Sequence, residues 1–399
     1  MPATALPFRL AALSLMFGLS ACLQEVNIGE IDRFEAPEPD NTPADWGSWM
    51  SMDVTPDGQR LALAYYMRDE GALGFATGTP AEDGSVSWFH ERVDGFVDEF
   101  GRPVGDRGKY ASMKVAPDGT VWIAYHQSDK SGLFVAHRKG GVRSWEVYTV
   151  IDKTGSEGGP GQWASLDLDA NGQPVVASYN GTDGTLQLSR PTALEQVDYT
   201  QWTTTTIAEG QPFTGVDAKG EAIERPADVG QYAKLLIQGT TEYIAYYDAA
   251  QQRLGLLEGS AGAYNQTWVS PEGTNMGTWP SLLLDGGTVI IGFQDVSNQD
   301  LVIASRGTGG FTLEIADAGA YRGADVALAP RNGTIGALYF DGQNNDLRYA
   351  EKSGTVWVTS LVHGDGAAAG FHNEVVRVGE IWWAGTYDYA TRQPFFTTF

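Results

Sequence analysis

With 399 residues, 26 lysines and arginines against 50 acidic side chains and a formal net charge of −24, the chain is strongly acidic. That balance excludes a general nucleic-acid binder, which needs a basic face, and argues against binding to anionic headgroups. It favours solubility in an exported compartment and attraction of cations, basic proteins or cationic sugars, and the lone cysteine, Cys22, excludes an internal disulfide.

In chain order, residues 1 to 21 read as an export signal. Arg9 supplies early positive charge, and Leu10 to Leu19 is an apolar run too short for a stable bilayer-spanning helix. The run ends in Leu19-Ser20-Ala21-Cys22, which resembles the lipobox of bacterial lipoproteins. The resemblance implies that Cys22 is lipidated as the first residue of a mature chain 22–399, and acyl chains would hold it on a membrane. Leu23, in place of Asp, implies outer-membrane sorting by the same resemblance. Val26 to Ile31 has the apolar spacing of Trp145 to Val150 and is expected to be a strand.

From Gly47 onward one phrase recurs. It reads Gly47-Ser48-Trp49-Met50-Ser51, Gly108-Lys109-Tyr110-Ala111-Ser112, Gly161-Gln162-Trp163-Ala164-Ser165, Gly230-Gln231-Tyr232-Ala233-Lys234 and Gly277-Thr278-Trp279-Pro280-Ser281. Two divergent copies follow at Gly323-Ala324-Asp325-Val326-Ala327 and Gly370-Phe371-His372-Asn373-Glu374. Intervals of roughly 50 residues mean one supersecondary unit built repeatedly.

The third copy shows the unit clearly. Ser165 to Asp169 alternates apolar and polar, Asn171-Gly172 is a hairpin turn, and Pro174 to Tyr179 is a second strand. Asn180 to Gly184 turns again, Leu186 to Ser189 is a third strand, and Trp202 to Ile207 is a fourth. No stretch carries a convincing helical period. The prediction is all-β: a seven-bladed β-propeller of four-stranded antiparallel blades. The seventh copy holds only three candidate strands, so Val26 to Ile31 is expected to pair with the C-terminal strand and lock the ring. The longer intervals, Glu91 to Asp106 and Glu209 to Asp228, read as loops between blades.

In a propeller, the loop into the innermost strand and the loop out of the second strand share one face. Trp49, Tyr110, Trp163, Tyr232 and Trp279 are therefore expected near the mouth of the central channel. Tyr66, His126, Tyr247, Asp248, Asp295, Asp341 and Tyr387, at or beside the end of the second strands, are expected beside them. Two readings stay open: packing between blades, or contact with a ligand such as a sugar ring or an anchoring protein. The serine two residues after each aromatic reads as a hydrogen bonder at the start of the strand, since no histidine recurs at a matching position. Asp167-x-Asp169-x-Asn171-Gly172 opens like a calcium loop, but Ser178 stands where the bidentate glutamate belongs. The five histidines lack metal-ligand spacing; neither metal nor cofactor is expected.

The phrase resembles that of bacterial repeat β-propellers, Gly-x-Trp-x-Ser-Leu…Tyr-Tyr-Asp…Leu-x-Tyr-Ala…Trp, over residues 26 to 399. Gly323 to Trp357, with Tyr339-Phe340-Asp341 and Leu347-Arg348-Tyr349-Ala350, matches its later half. A remoter likeness to sialidase-type propellers rests on Asp118-Gly119-Thr120-Val121-Trp122, though that turn joins the first two strands rather than the last two. The expected function is a non-catalytic, lipid-anchored module that docks a protein of a bacterial envelope assembly. The alternatives are a lectin-like glycan binder, and a glycosidase or lyase using carboxylates among Asp248, Asp295, Asp341 and Asp388 roughly 5–9.5 Å apart.

Overall fold

Turn residues cut the chain into short strands, and each hairpin leads to the next strand outward. The computed structural model describes residues 42–399 apart from 82, 99, 130, 153–158, 193–200, 217–218, 332 and 365–367. Cys22, the export signal and the expected strand from Val26 to Ile31 lie outside the described residues. Blade 1 comprises Ser48–Val54, Leu61–Met67, Ala72–Pro80 and Val86–Val97, paired antiparallel in chain order. Blades 2 to 6 repeat this order, with innermost strands Arg107–Val115, Pro160–Leu168, Val229–Gln238, Met276–Asp285 and Arg322–Arg331. Blade 7 shows three strands among the described residues, Phe371–Val378, Ile381–Asp388 and Gln393–Thr398. Each innermost strand lies against the next, and the seventh lies against the first, so the ring is closed.

Two segments read as loops carry strands of their own. The outermost strand of blade 1 continues through Val97 and meets a short strand, Pro103–Gly105. Between blades 3 and 4, Phe213–Val216 pairs with Ala222–Arg225 as an inserted hairpin. Length and polarity suggest a loop at both places, but backbone groups find partners even in segments with little to bury.

Burial follows position in the blade. The second strand is buried along its whole length in blades 1, 2 and 3 because another blade covers each face. Outermost strands alternate instead, as in Trp202–Ala208. The core is accordingly seven wedges, one at each blade interface. Leu73 and Phe75 of blade 1 meet Ile123 and Tyr125 of blade 2, and Met50 and Leu63 of blade 1 meet Trp383 and Tyr387 of blade 7. Each fully buried large apolar side chain contributes about 1.5–3 kcal/mol.

A recurring strut ties every blade to the next. The side chain closing the second strand reaches the start of the following blade: Tyr66 to Asp106, Tyr179 to Asp228, Tyr247 to Asn275 and Tyr387 to Asp45, at 2.5–2.7 Å. His126 donates to the Pro160 carbonyl and Gln294 to the Arg322 carbonyl, while the Phe340 ring packs at a tilt on Phe371.

Candidate functional site: the axial well

The repeated phrase writes a bulge into every innermost strand. Its glycine sits where blades touch backbone to backbone: Gly161 has φ +96°, and a Cβ there would lie 2.9 Å from Leu133 Cα. Register then slips against the second strand, as between Gln162 and Ser165. In that slip Trp49, Tyr110, Trp163, Tyr232, Trp279, Asp325 and His372 all adopt left-handed backbone, with φ between 46° and 56°. Such a conformation costs a non-glycine residue about 1–2 kcal/mol, so all seven are held there by their surroundings. The seven side chains line one cavity of about 90 Å³ on the axis.

Six of them are aromatic and touch in series. Centroids are 4.4 Å apart for His372 and Trp49, 4.2 Å for Trp49 and Tyr110, 5.5 Å for Tyr110 and Trp163, 4.8 Å for Trp163 and Tyr232, and 4.6 Å for Tyr232 and Trp279. From Trp49 to Trp279 each ring is turned from the last by 47–56°, close to the roughly 51° between neighbours in a seven-bladed ring. The rings therefore pack on their counterparts around the axis rather than between the sheets, and they also face the cavity. Asp325 fills the remaining place.

One layer deeper, the serines tie blade to blade. Ser51, Ser112, Ser165 and Ser281 accept the backbone N–H of Met113, Leu166, Leu235 and Leu328 in the following blade, at 2.9–3.1 Å. Glu374 does the same at the seam, accepting from the Met52 N–H. Lys234 replaces the serine in blade 4 and Ala327 in blade 6. Deeper still, Asp53 and Asp167 accept the Val115 and Ile237 N–H groups and flank Lys114, whose ammonium is 4.0 Å from Asp167. Burial pulls Lys114 down, but Asp167, Asp53 and Glu374 outweigh it and hold it above its ordinary range.

The electrostatics concentrate where the repeat diverges. Burial pushes the Asp325 carboxyl up to about 7, against the opposing pull of the His372 N–H and Lys234. Burial, reinforced by Arg68 and Lys234, pulls His372 down to about 3, so its imidazole is neutral at physiological pH. Burial also raises Glu374, with Lys234 and Lys114 opposing. One side of the well thus carries a neutral imidazole, a carboxyl that titrates near neutrality, a second carboxylate and an ammonium.

Of the residues expected at the mouth, the five aromatics of the phrase line the cavity and the others do not. Tyr66, His126, Tyr247 and Tyr387 are buried behind the ring as struts; His126, Tyr247 and Tyr387 contact the ring member of their own blade. Asp248, Asp295 and Asp341 fold back on their own turns. Asp248 accepts the Gln251 N–H, Asp295 those of Ser297 and Asn298, and Asp341 those of Gln343 and Asn344 while pairing with Arg322. They cap hairpins, and Asp388 does likewise for Ala390. Asp325, His372, Lys234 and Glu374 were not singled out from the sequence. Their signal is that each replaces the consensus letter of its copy.

No protein-family model matches the sequence, and no curated protein does. Among solved structures, hydrazine synthase of Kuenenia stuttgartiensis is similar over 93% of this chain and 99% of that one, with a TM-score of 0.52 and 11% identity. A Hadza microbial sialidase, Hz136, covers 90% of this chain at a TM-score of 0.47 and 12% identity, and this chain spans 66% of that one. A fucose-specific lectin from Aleuria aurantia covers 79% of this chain and 95% of its own, at a TM-score of 0.45 and 12% identity. At such identities the likeness shows the fold alone.

Proposed function

We propose that this propeller is a non-catalytic docking module of a bacterial envelope, tethered to the outer membrane through lipidated Cys22, and that its axial well receives a lysine or arginine side chain of a partner protein. The observation that carries this reading is the convergence of the repeat's divergent letters on one aromatic-walled well. Ring faces attract a cation by about 0.5–2 kcal/mol, more when water is displaced. Above about pH 7 the carboxylates of Asp325 and Glu374 outnumber the one lining ammonium, Lys234, and the net charge of −24 draws basic partners in. The acids expected to serve a glycosidase are committed to turns instead.

The test uses the full chain and two probes, hexalysine and hexaglutamate peptides, with ring tryptophan emission as the readout. Hexalysine should shift the emission saturably at pH 8, hexaglutamate should not, and Asp325→Ala should weaken the response about tenfold. An unresponsive ring, or an equal response to both peptides, overturns the reading.

A further inference from the structure

We propose that the cleft between blades 3 and 4 is a second binding site, separate from the axial well, that takes a neutral sugar residue. The cleft measures about 690 Å³, within the range of roughly 300–1,000 Å³ typical of small-molecule sites.

The bridge between blades takes another form beside this cleft. Five residues after the buried leucine of the third strand, Arg138, Arg306 and Lys352 reach back to carboxylates of the preceding blade, Glu91, Glu258 and Glu314. Blade 4 has Gly259 at this place, five residues after Leu254. A Cβ there would collide with the Ala263 carbonyl oxygen, so the tight hairpin dictates glycine, and the two blades are joined instead by Arg190 of blade 3 pairing with Glu242 of blade 4, which also accepts the Tyr264 hydroxyl. Blade 1 also has glycine, Gly78, but its gap is filled: Trp88 lies 4.8 Å from Phe396 and 5.9 Å from Trp46. Blade 4 leaves the space open and lined with side chains.

Those side chains set the ligand class. Tyr264, Gln266 and Trp268 alternate along the outermost strand of blade 4 and share one face. Their spacing of about 7 Å from one to the next suits a pyranose lying between an aromatic plane and an amide. Gly255 has no Cβ, which lets the Tyr246 ring lie against the strand beside them. Thr206 and Glu209 line the blade 3 side, and Glu209 has no hydrogen bond or ion pair among the described residues. The nearby cations are committed: Arg190 pairs with Glu242, and Arg253 donates through Nε and Nη2 to the Ser270 carbonyl, at 3.1 and 2.9 Å, and lies over the Trp268 ring. Aromatic faces, amides and carboxylates with no cation among the lining residues suit hydroxyl groups and disfavour an anionic sugar. The inference does not depend on what the axial well binds.

The experiment is calorimetric titration of the full chain with glucose, galactose, mannose, N-acetylglucosamine and their disaccharides, with sialic acid and glucuronate as anionic comparisons. At least one neutral sugar should bind. Thr206→Trp, at an exposed position on the rim, should fill the cleft and weaken that binding at least about tenfold, as should Trp268→Ala. Val358→Trp, on the exposed outermost strand of blade 6, should leave it unchanged. Thermal unfolding shows whether each variant is folded. Binding of the anionic sugars alone, no binding by any neutral sugar, or neutral-sugar binding that survives Thr206→Trp overturns the proposal.

Discussion

Asp325 and His372 stand at the same ring position in consecutive blades, and burial moves their proton affinities in opposite directions. Asp325 goes from 3.8 to about 7, and His372 from 6.5 to about 3. Each tenfold change in proton affinity is worth about 1.4 kcal/mol, so either group alone is linked to folding by roughly 4–5 kcal/mol at most, or about 2–4 kcal/mol with screening by channel water. The signs oppose each other. Folded Asp325 holds its proton more tightly than the unfolded chain does, so its contribution is present below pH 4 and is lost as pH rises to about 7. Folded His372 holds its proton less tightly, so its contribution is present above pH 6.5 and is lost as pH falls to about 3. Between about pH 4 and 6.5 the two nearly cancel in the native protein. Asp325→Asn removes one side of the balance. Relative to wild type, its stability should match near pH 4 and exceed it by about 2–4 kcal/mol at pH 8, measured by urea unfolding with tryptophan emission. His372→Gln should show the complement, a gain over wild type that is largest near pH 4 and fades toward pH 7. A difference between Asp325→Asn and wild type that stays constant from pH 4 to 8 would refute the account of a half-buried carboxyl beside a neutral imidazole.

Two further outcomes test the frame of the well. Ser165→Ala leaves the Leu235 N–H unpaired in a buried interface, and should lower unfolding free energy by about 1–3 kcal/mol in urea titration. Gly161→Ala places a Cβ 2.9 Å from Leu133 Cα at φ +96° and should cost about 2–4 kcal/mol, from left-handed strain plus overpacking; a drop in melting temperature no greater than that of Gly172→Ala, at φ +73° with open space around it, would count against backbone contact as the reason for this glycine.

The blades were legible because glycine and aromatic recur together, and only a bulge repeated in every innermost strand requires both. The function of the acids was not. An aspartate closing a strand looks the same whether it faces a channel or caps the following turn; Asn298 and Asn344, three residues after Asp295 and Asp341, are the local clue, since their amides complete the cap. The charged side of the well was hidden for the opposite reason. A repeat is recognised by agreement between copies, so Asp325 and His372 registered as degraded letters when they are the positions at which the ring acquires its own chemistry. The cleft between blades 3 and 4 is lined by strands far apart in the sequence, so it becomes visible only once the blades are placed side by side.

The struts also run one way. Each hydroxyl, imidazole or amide belongs to the earlier blade and grips the later one, until Tyr387 returns to Asp45. A chain emerging from the ribosome can therefore fasten every new blade to its predecessor as it appears. The first blade alone must wait, its outer flank unmatched, until blade 7 is synthesised. Premature termination anywhere before Tyr387 would leave two sticky faces on the same molecule, each the natural complement of the other on a neighbour, and so would favour head-to-tail polymers over monomers.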